Sequence, residues 1–165
     1  MAPLCTVPLM YTKPDKLPKR KPTGLKIIDT LTKADYDWIN NLEGKIRGYV
    51  RPQEWMFWKS SDRYKIYLFK DRGKRVGYSM TGTHGELAPA GAVSKKHLVN
   101  IVYEMLYLSN VRDDNTIRLF CPTHNIELYK MLLKNGLRMD EMLIFMSDTP
   151  YGDFDRYLPA TLAIF

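Results

Sequence analysis

At 165 residues, with 45% hydrophobic and 26% charged side chains, the chain has the size and make-up of one globular domain with a real core. No apolar run nears the ~20 residues of a membrane span, and the opening MAPLCTVPLM lacks the basic start and long apolar stretch of a secretory signal, so a cytoplasmic protein is expected. The net charge of +7 is uneven: residues 1–26 hold six basic side chains against Asp15 alone, while the other 19 basic side chains meet 17 acidic ones, which argues against nucleic-acid binding by the globular part.

Leu4–Tyr11 is apolar enough for a strand, either the end of another domain or a strand that docks elsewhere. Residues 12–24, TKPDKLPKRKPTG, follow with three prolines and five basic side chains, the composition of an extended, solvated linker. Residues 1–24 are therefore set apart from a domain over 25–165. Leu25–Asp29 reads as a short strand. Thr32 caps a helix over Lys33–Leu42 with Ala34, Trp38, Ile39 and Leu42 on its apolar face, loosened afterwards by Gly44 and Gly48. Pro52 begins a second short helix, Gln53–Lys59. Tyr64–Lys70 and Arg75–Thr81 form a hairpin, and Glu86–Val93 is a further strand containing Pro89.

Ser94 caps the longest helix, Lys95–Asn110, which is apolar nearly all round and so is buried on more than one side. Ile117–Cys121 is a continuous apolar strand of the kind found mid-sheet. Asn125–Asn135 is a helix stopped by Gly136, and Met142–Ser147 and Tyr157–Phe165 are the last strands. The order β-α-α-β-β-β-α-β-α-β-β predicts an α+β fold: a mixed, mostly antiparallel central sheet with helices on both faces.

The strand-turn-helix-glycine unit Thr116–Leu137, with Asn125 opening its helix and Gly136 closing it, resembles the GCN5-related N-acetyltransferase superfamily, as does the element order over 25–165. The resemblance implies acetyl-CoA as cofactor and an amine as acceptor. It places the pantetheine along the strand edge at Ala92 and Val93, phosphate at the amides and cations of Ser94, Lys95 and Lys96, and Asn125 beside the thioester. Two departures stand out. The junction Gly91–His97 lacks the family's glycine-rich pyrophosphate loop, and Leu132 occupies the position of the tyrosine that protonates the leaving thiolate. Tyr129, three residues earlier, is the substitute proton donor to consider. Both departures resemble the degenerate C-terminal half of tandem acetyltransferases, as do Gly48-Tyr49-Val50-Arg51 and Gly77-Tyr78.

Other chemistry is weaker. Cys5 and Cys121 lie far apart with no metal-ligand spacing, so neither a disulfide scaffold nor a zinc site is expected. Cys121 with His124 lacks a third orienting group. Asp148, Asp153 and Asp155 lack the regular spacing of a calcium loop. His84 and His97 read as surface side chains. Trp38, Tyr49, Trp55 and Trp58, near Arg47, Arg51 and Glu54, form either an acceptor wall or a core. Three functions are weighed: acetyl transfer from acetyl-CoA; a non-catalytic domain that binds a ligand or assembles as a homodimer or with a partner acetyltransferase domain; and nucleic-acid binding through the basic arm.

Overall fold

A computed structural model describes residues 2–109, 116–147 and 152–160. Its elements are β1 (Ala2–Thr12), a 3-10 turn (Pro14–Lys16), β2 (Lys26–Ile28), α1 (Lys33–Arg47), α2 (Pro52–Ser60), β3 (Tyr64–Asp71), β4 (Lys74–Gly82), β5 (Leu87–Ala92), α3 (Lys95–Leu108), β6 (Ile117–Phe120), α4 (Ile126–Lys134), β7 (Arg138–Ser147) and β8 (Tyr157–Leu158). The class is α+β, as expected. The strands divide between two sheets, ordered β6-β1-β7 and β2-β3-β4-β5-β8, and every pairing within them is antiparallel. Among the described residues, no helix is long and apolar enough to cross a membrane.

The first strand docks within this chain. β1 lies between β6 and β7, running from Ala2 opposite Ser147 to Thr12 opposite Ile117. The basic segment after it is not a free linker either. Arg20 donates to Glu104 of α3 at 2.6 and 3.0 Å, Thr23 donates to the same carboxylate, the Lys21 amide donates to the Tyr103 hydroxyl and Tyr107 donates to the Pro18 carbonyl. Glu104 is 1% exposed. A buried carboxylate without a cation is costly, so this one side chain ties the arm to α3.

The helix ends follow their capping residues. Thr32 and Asp35 form a reciprocal capping box that starts α1. That helix passes Leu42 and Gly44 and stops at Gly48 (φ 86°), because Glu43, Ile46 and Arg47 extend its buried face by another turn. Ser94 caps α3, Asn125 caps α4, and Gly136 (φ 85°) ends α4 in the left-handed conformation that glycine adopts without strain.

Alternation along β3 builds two cores. Tyr67 and Phe69 face α3 and α4 with Leu98, Ile101, Met105, Leu128 and Leu132. Ile66 and Leu68 face α1 and α2 with Ile39, Ile46, Trp55 and Tyr78. Helices therefore cover both faces of the larger sheet.

Candidate functional site

β5 and β6 touch at one place and then part. Glu86 and Arg118 form a single parallel bridge, beside which the Arg118 amide donates to the Gly85 carbonyl at 2.9 Å. Gly85 (φ 89°) is required there, since a Cβ would sit 2.0 Å from the Thr116 carbonyl oxygen. Beyond this fork β6 pairs with β1, and β5 is left with one edge facing the gap. At the fork itself remains a pocket of about 220 Å³, lined by Leu9, Leu87, Leu119 and Ala160 among others.

That edge of β5 is occupied by the chain itself. Leu158 and Tyr157 pair with Ala90 and Gly91, and the Ala92 amide donates to the Arg156 carbonyl at 2.9 Å. The Val93 amide turns the other way, to the Val76 carbonyl at 2.9 Å, and its side chain is 40% exposed. Lys95 pairs with Asp155 at 3.1 Å. Asn125, fully buried, accepts the Leu128 amide at 3.0 Å and donates through its side-chain nitrogen to the Asp155 carbonyl at 3.0 Å. Ala92, Lys95 and Asn125 thus do converge, and they converge on Asp155 and Arg156. Ser94 is engaged in its own helix, bonded to the His97 amide and ring, while Lys96 is exposed.

The segment 153–158 is fixed at further points. The Asp153 amide donates to the Ile46 carbonyl at 2.7 Å, and Arg156 donates to the Asp153 carboxylate at 2.6 Å. Phe154 meets Phe145 edge to face at 5.4 Å. The Tyr157 ring is 1% exposed and its hydroxyl accepts from Arg51 at 3.1 Å.

Arg51 leads into a buried polar cluster. Glu43, fully buried, accepts from Arg51 at 2.8–3.2 Å, from the Trp55 indole at 3.2 Å and from the Tyr78 hydroxyl. Arg47 lies 3.6 Å from it. Burial, reinforced by the Glu43 charge, pushes the Tyr78 phenol well above its ordinary range, so it stays protonated and donates. Burial works against the Arg51 cation, but Tyr157, Glu43 and Tyr78 outweigh it and the guanidinium holds its proton more tightly than usual. Trp55 packs edge to face on Trp58 at 4.9 Å and on Tyr78 at 5.2 Å, so this aromatic group is core rather than an open wall. Trp38 instead lines a separate cleft with Asn41, Lys45 and Arg156.

Tyr129 is half-buried against the core beneath α3 and α4, and Leu132 is fully buried within that core. Burial pushes the Cys121 thiol up to about 12, so it is no thiolate nucleophile near neutral pH. His97 lies between Ser94 and Asp71, and the His84 amide donates to Glu86. Asp148 lies outside the described residues; among those described, no group of three or more His, Cys, Asp or Glu is placed to hold a metal. The strand expected over Tyr157–Phe165 is present as β8 at Tyr157–Leu158, its last five residues lying outside the described ones, but sequence reasoning missed Glu43 and the docking of 153–158 on β5. The available signal was Phe154 and Tyr157 set among acidic residues, too short for any period.

No family model and no curated protein matches the chain. Solved structures do. A candidate acetyltransferase from Pyrococcus horikoshii superposes with a TM-score of 0.67 at 14% identity, over 98% of this chain and 52% of that one. A GCN5-related N-acetyltransferase from Kribbella flavida gives 0.54 at 10% identity, over 87% and 58%. One from Sphaerobacter thermophilus gives 0.50 at 15% identity, over 87% and 51%. The chain therefore spans about half the length of the solved structures it matches, and it has the fold of the GCN5-related N-acetyltransferases.

Proposed function

We propose that this is a non-catalytic acetyltransferase-fold domain whose cofactor groove is filled by its own residues 153–158. The observation that carries this reading is the Ala92 amide bonded to the Arg156 carbonyl, with Gly91 and Ala90 paired to Tyr157 and Leu158. An extended pantetheine arm needs that same edge. Lys95 and Asn125, which the resemblance assigns to the cofactor, are engaged with Asp155. Leu132 in the proton donor's place and the absent loop glycines point the same way. Calorimetric titration with acetyl-CoA should give no binding at millimolar ligand; a saturable isotherm overturns the proposal.

Its role on this reading is assembly, with a second copy or with a catalytic acetyltransferase domain. Two observations support that. The matched structures are about twice as long as this chain. Met142, Ile144 and Met146 also form a stripe on β7 that is 56, 60 and 46% exposed, the kind of apolar surface that partners cover. Sedimentation of the pure chain alone and mixed with a catalytic acetyltransferase domain tests it; a monomer that ignores the domain contradicts it.

A second reading has one observation behind it. Ala92, Lys95 and Asn125 meet where the resemblance puts a cofactor, so acetyl transfer to an amine would follow if the 153–158 segment swung out. Acetyl-CoA-dependent acetylation of a panel of small amines would establish that reading, and its absence disposes of it.

A further inference from the structure

We infer that the strapped arm and the end of α4 form a paired groove that binds the phosphate backbone of a single-stranded nucleic acid.

Tying down the arm uses one of its cations. Arg20 is paired with Glu104, while Lys13, Lys16, Lys19 and Lys21 stay exposed. Two hollows lie against the arm. One, of about 600 Å³, is lined by Lys13, Lys16 and Arg138 with Tyr11 and Leu133. The other, of about 460 Å³, is lined by Lys19, Lys21 and Lys134 with Asn100 and Tyr103. Leu133 lines the first and its neighbour Lys134 the second, so the two hollows flank the end of α4. Six cations therefore face this surface. Among the described residues of the arm, the one exposed acid is Asp15, 3.6 Å from Lys16 with both side chains about two-thirds exposed, a pair worth little in water. Among the described residues, no acidic side chain pairs with Lys13, Lys19, Lys21, Lys134 or Arg138.

The chemistry of the lining selects the partner. Lysine ammonium groups are point charges suited to phosphate oxygens, and they supply affinity without base selection. Pro14, Pro18, Pro22 and the Glu104 clamp hold these charges in place beforehand, so less ordering is needed on binding. Tyr11 and Tyr103 offer one aromatic ring in each hollow on which a base can stack. The cations line concave hollows, which a flexible strand can follow and a flat bilayer cannot.

The test is fluorescence anisotropy of a labelled oligouridylate of about 20 nucleotides across a salt series. Three or four neutralised phosphates give a log–log slope of about −2 to −3. The double variants K19E/K21E and K134E/R138E each weaken binding at least tenfold and flatten the slope by about one. Neither pair contacts Glu104, so the denaturation midpoint should hold; if it shifts, the neutral pairs K19Q/K21Q and K134Q/R138Q replace them. No binding at low salt overturns the proposal. So does an unchanged slope in K134E/R138E, which would reduce the groove to a basic tail. Equal affinity for phosphatidylserine vesicles or polyglutamate at matched charge would also overturn it.

Discussion

Two glutamates on helices are fully buried in this fold, and each holds a segment from elsewhere in the chain. Glu43 of α1 is enclosed by Arg51, Trp55 and Tyr78, all buried, and through Arg51 it reaches Tyr157 of β8. Glu104 of α3 holds the N-terminal arm, but its partner Arg20 has 46% of its side chain in solvent. The geometry is alike and the surroundings differ. Water reaches Arg20 and can take over part of its role at Glu104, whereas Arg51 lies out of reach of water. A buried ion pair adds little stability over an apolar pair of the same shape, yet breaking it by removing one partner is expensive. The first glutamate therefore fixes which residues pack together, and the second fixes only where an exposed arm lies.

The largest expected effect is at Arg51. Arg51→Met leaves Glu43 with two neutral donors and, as its cation, only Arg47 at 3.6 Å, and should lower stability by about 2–4 kcal/mol in chemical denaturation. A loss under about 1 kcal/mol would erase the contrast between the two sites. Arg20→Ala should lose about 1–2 kcal/mol, since Thr23 still donates to Glu104. Its clearer sign is faster tryptic cleavage after Lys16 and Lys19 with the rest of the chain intact; protection equal to wild type would mean that the arm is held otherwise.

Tyr157→Phe removes one acceptor from Arg51 and should lose about 0.5–1.5 kcal/mol. Amide exchange at Ala92 would quicken in that variant, and unchanged protection there would separate β8 from the Glu43 cluster. The smallest effect depends on pH. Partial burial, the Tyr103 hydroxyl and nearby charge push the Tyr107 phenol up to about 12. Its hydroxyl donates to the Pro18 carbonyl, and once ionised it cannot. A raised folded pKa means stability present below the unfolded value near 10 and lost as pH rises towards 12. The advantage of wild type over Tyr107→Phe should therefore be seen at about pH 8 and shrink by about pH 11.5; an advantage that persists at the higher pH would exclude this bond from the clamp.

Local signals in the sequence were legible because their causes are local. Thr32, Ser94 and Asn125 cap helices by bonding amides three residues on, and the left-handed turn at Gly136 needs no distant partner. Gly44 misled because the buried partners of Glu43 that carry α1 past it are Arg47, in its own next turn, and Arg51, just ahead of α2. Glu43 and Glu104 were invisible for a related reason: a glutamate reads as solvent-facing until its partner is known. Around the site, Ala92, Lys95 and Asn125 could be named from the resemblance, but their partners Asp155 and Arg156 could not. A two-residue strand carries no alternation, and the choice of neighbour in a sheet is a long-range decision.

The place of β1 has a consequence for how the chain comes to be folded. β1 is made before either of its neighbours, yet it fills the middle of a sheet whose outer members are β6 and β7, with Ala2 opposite Ser147. At about 5–20 residues per second, its apolar side chains wait on the order of ten seconds before either neighbour exists. Contacts this distant in sequence also form slowly once they can. During that interval an unpaired apolar strand is open to the wrong partner, so it is over β1 that the nascent chain most needs a chaperone.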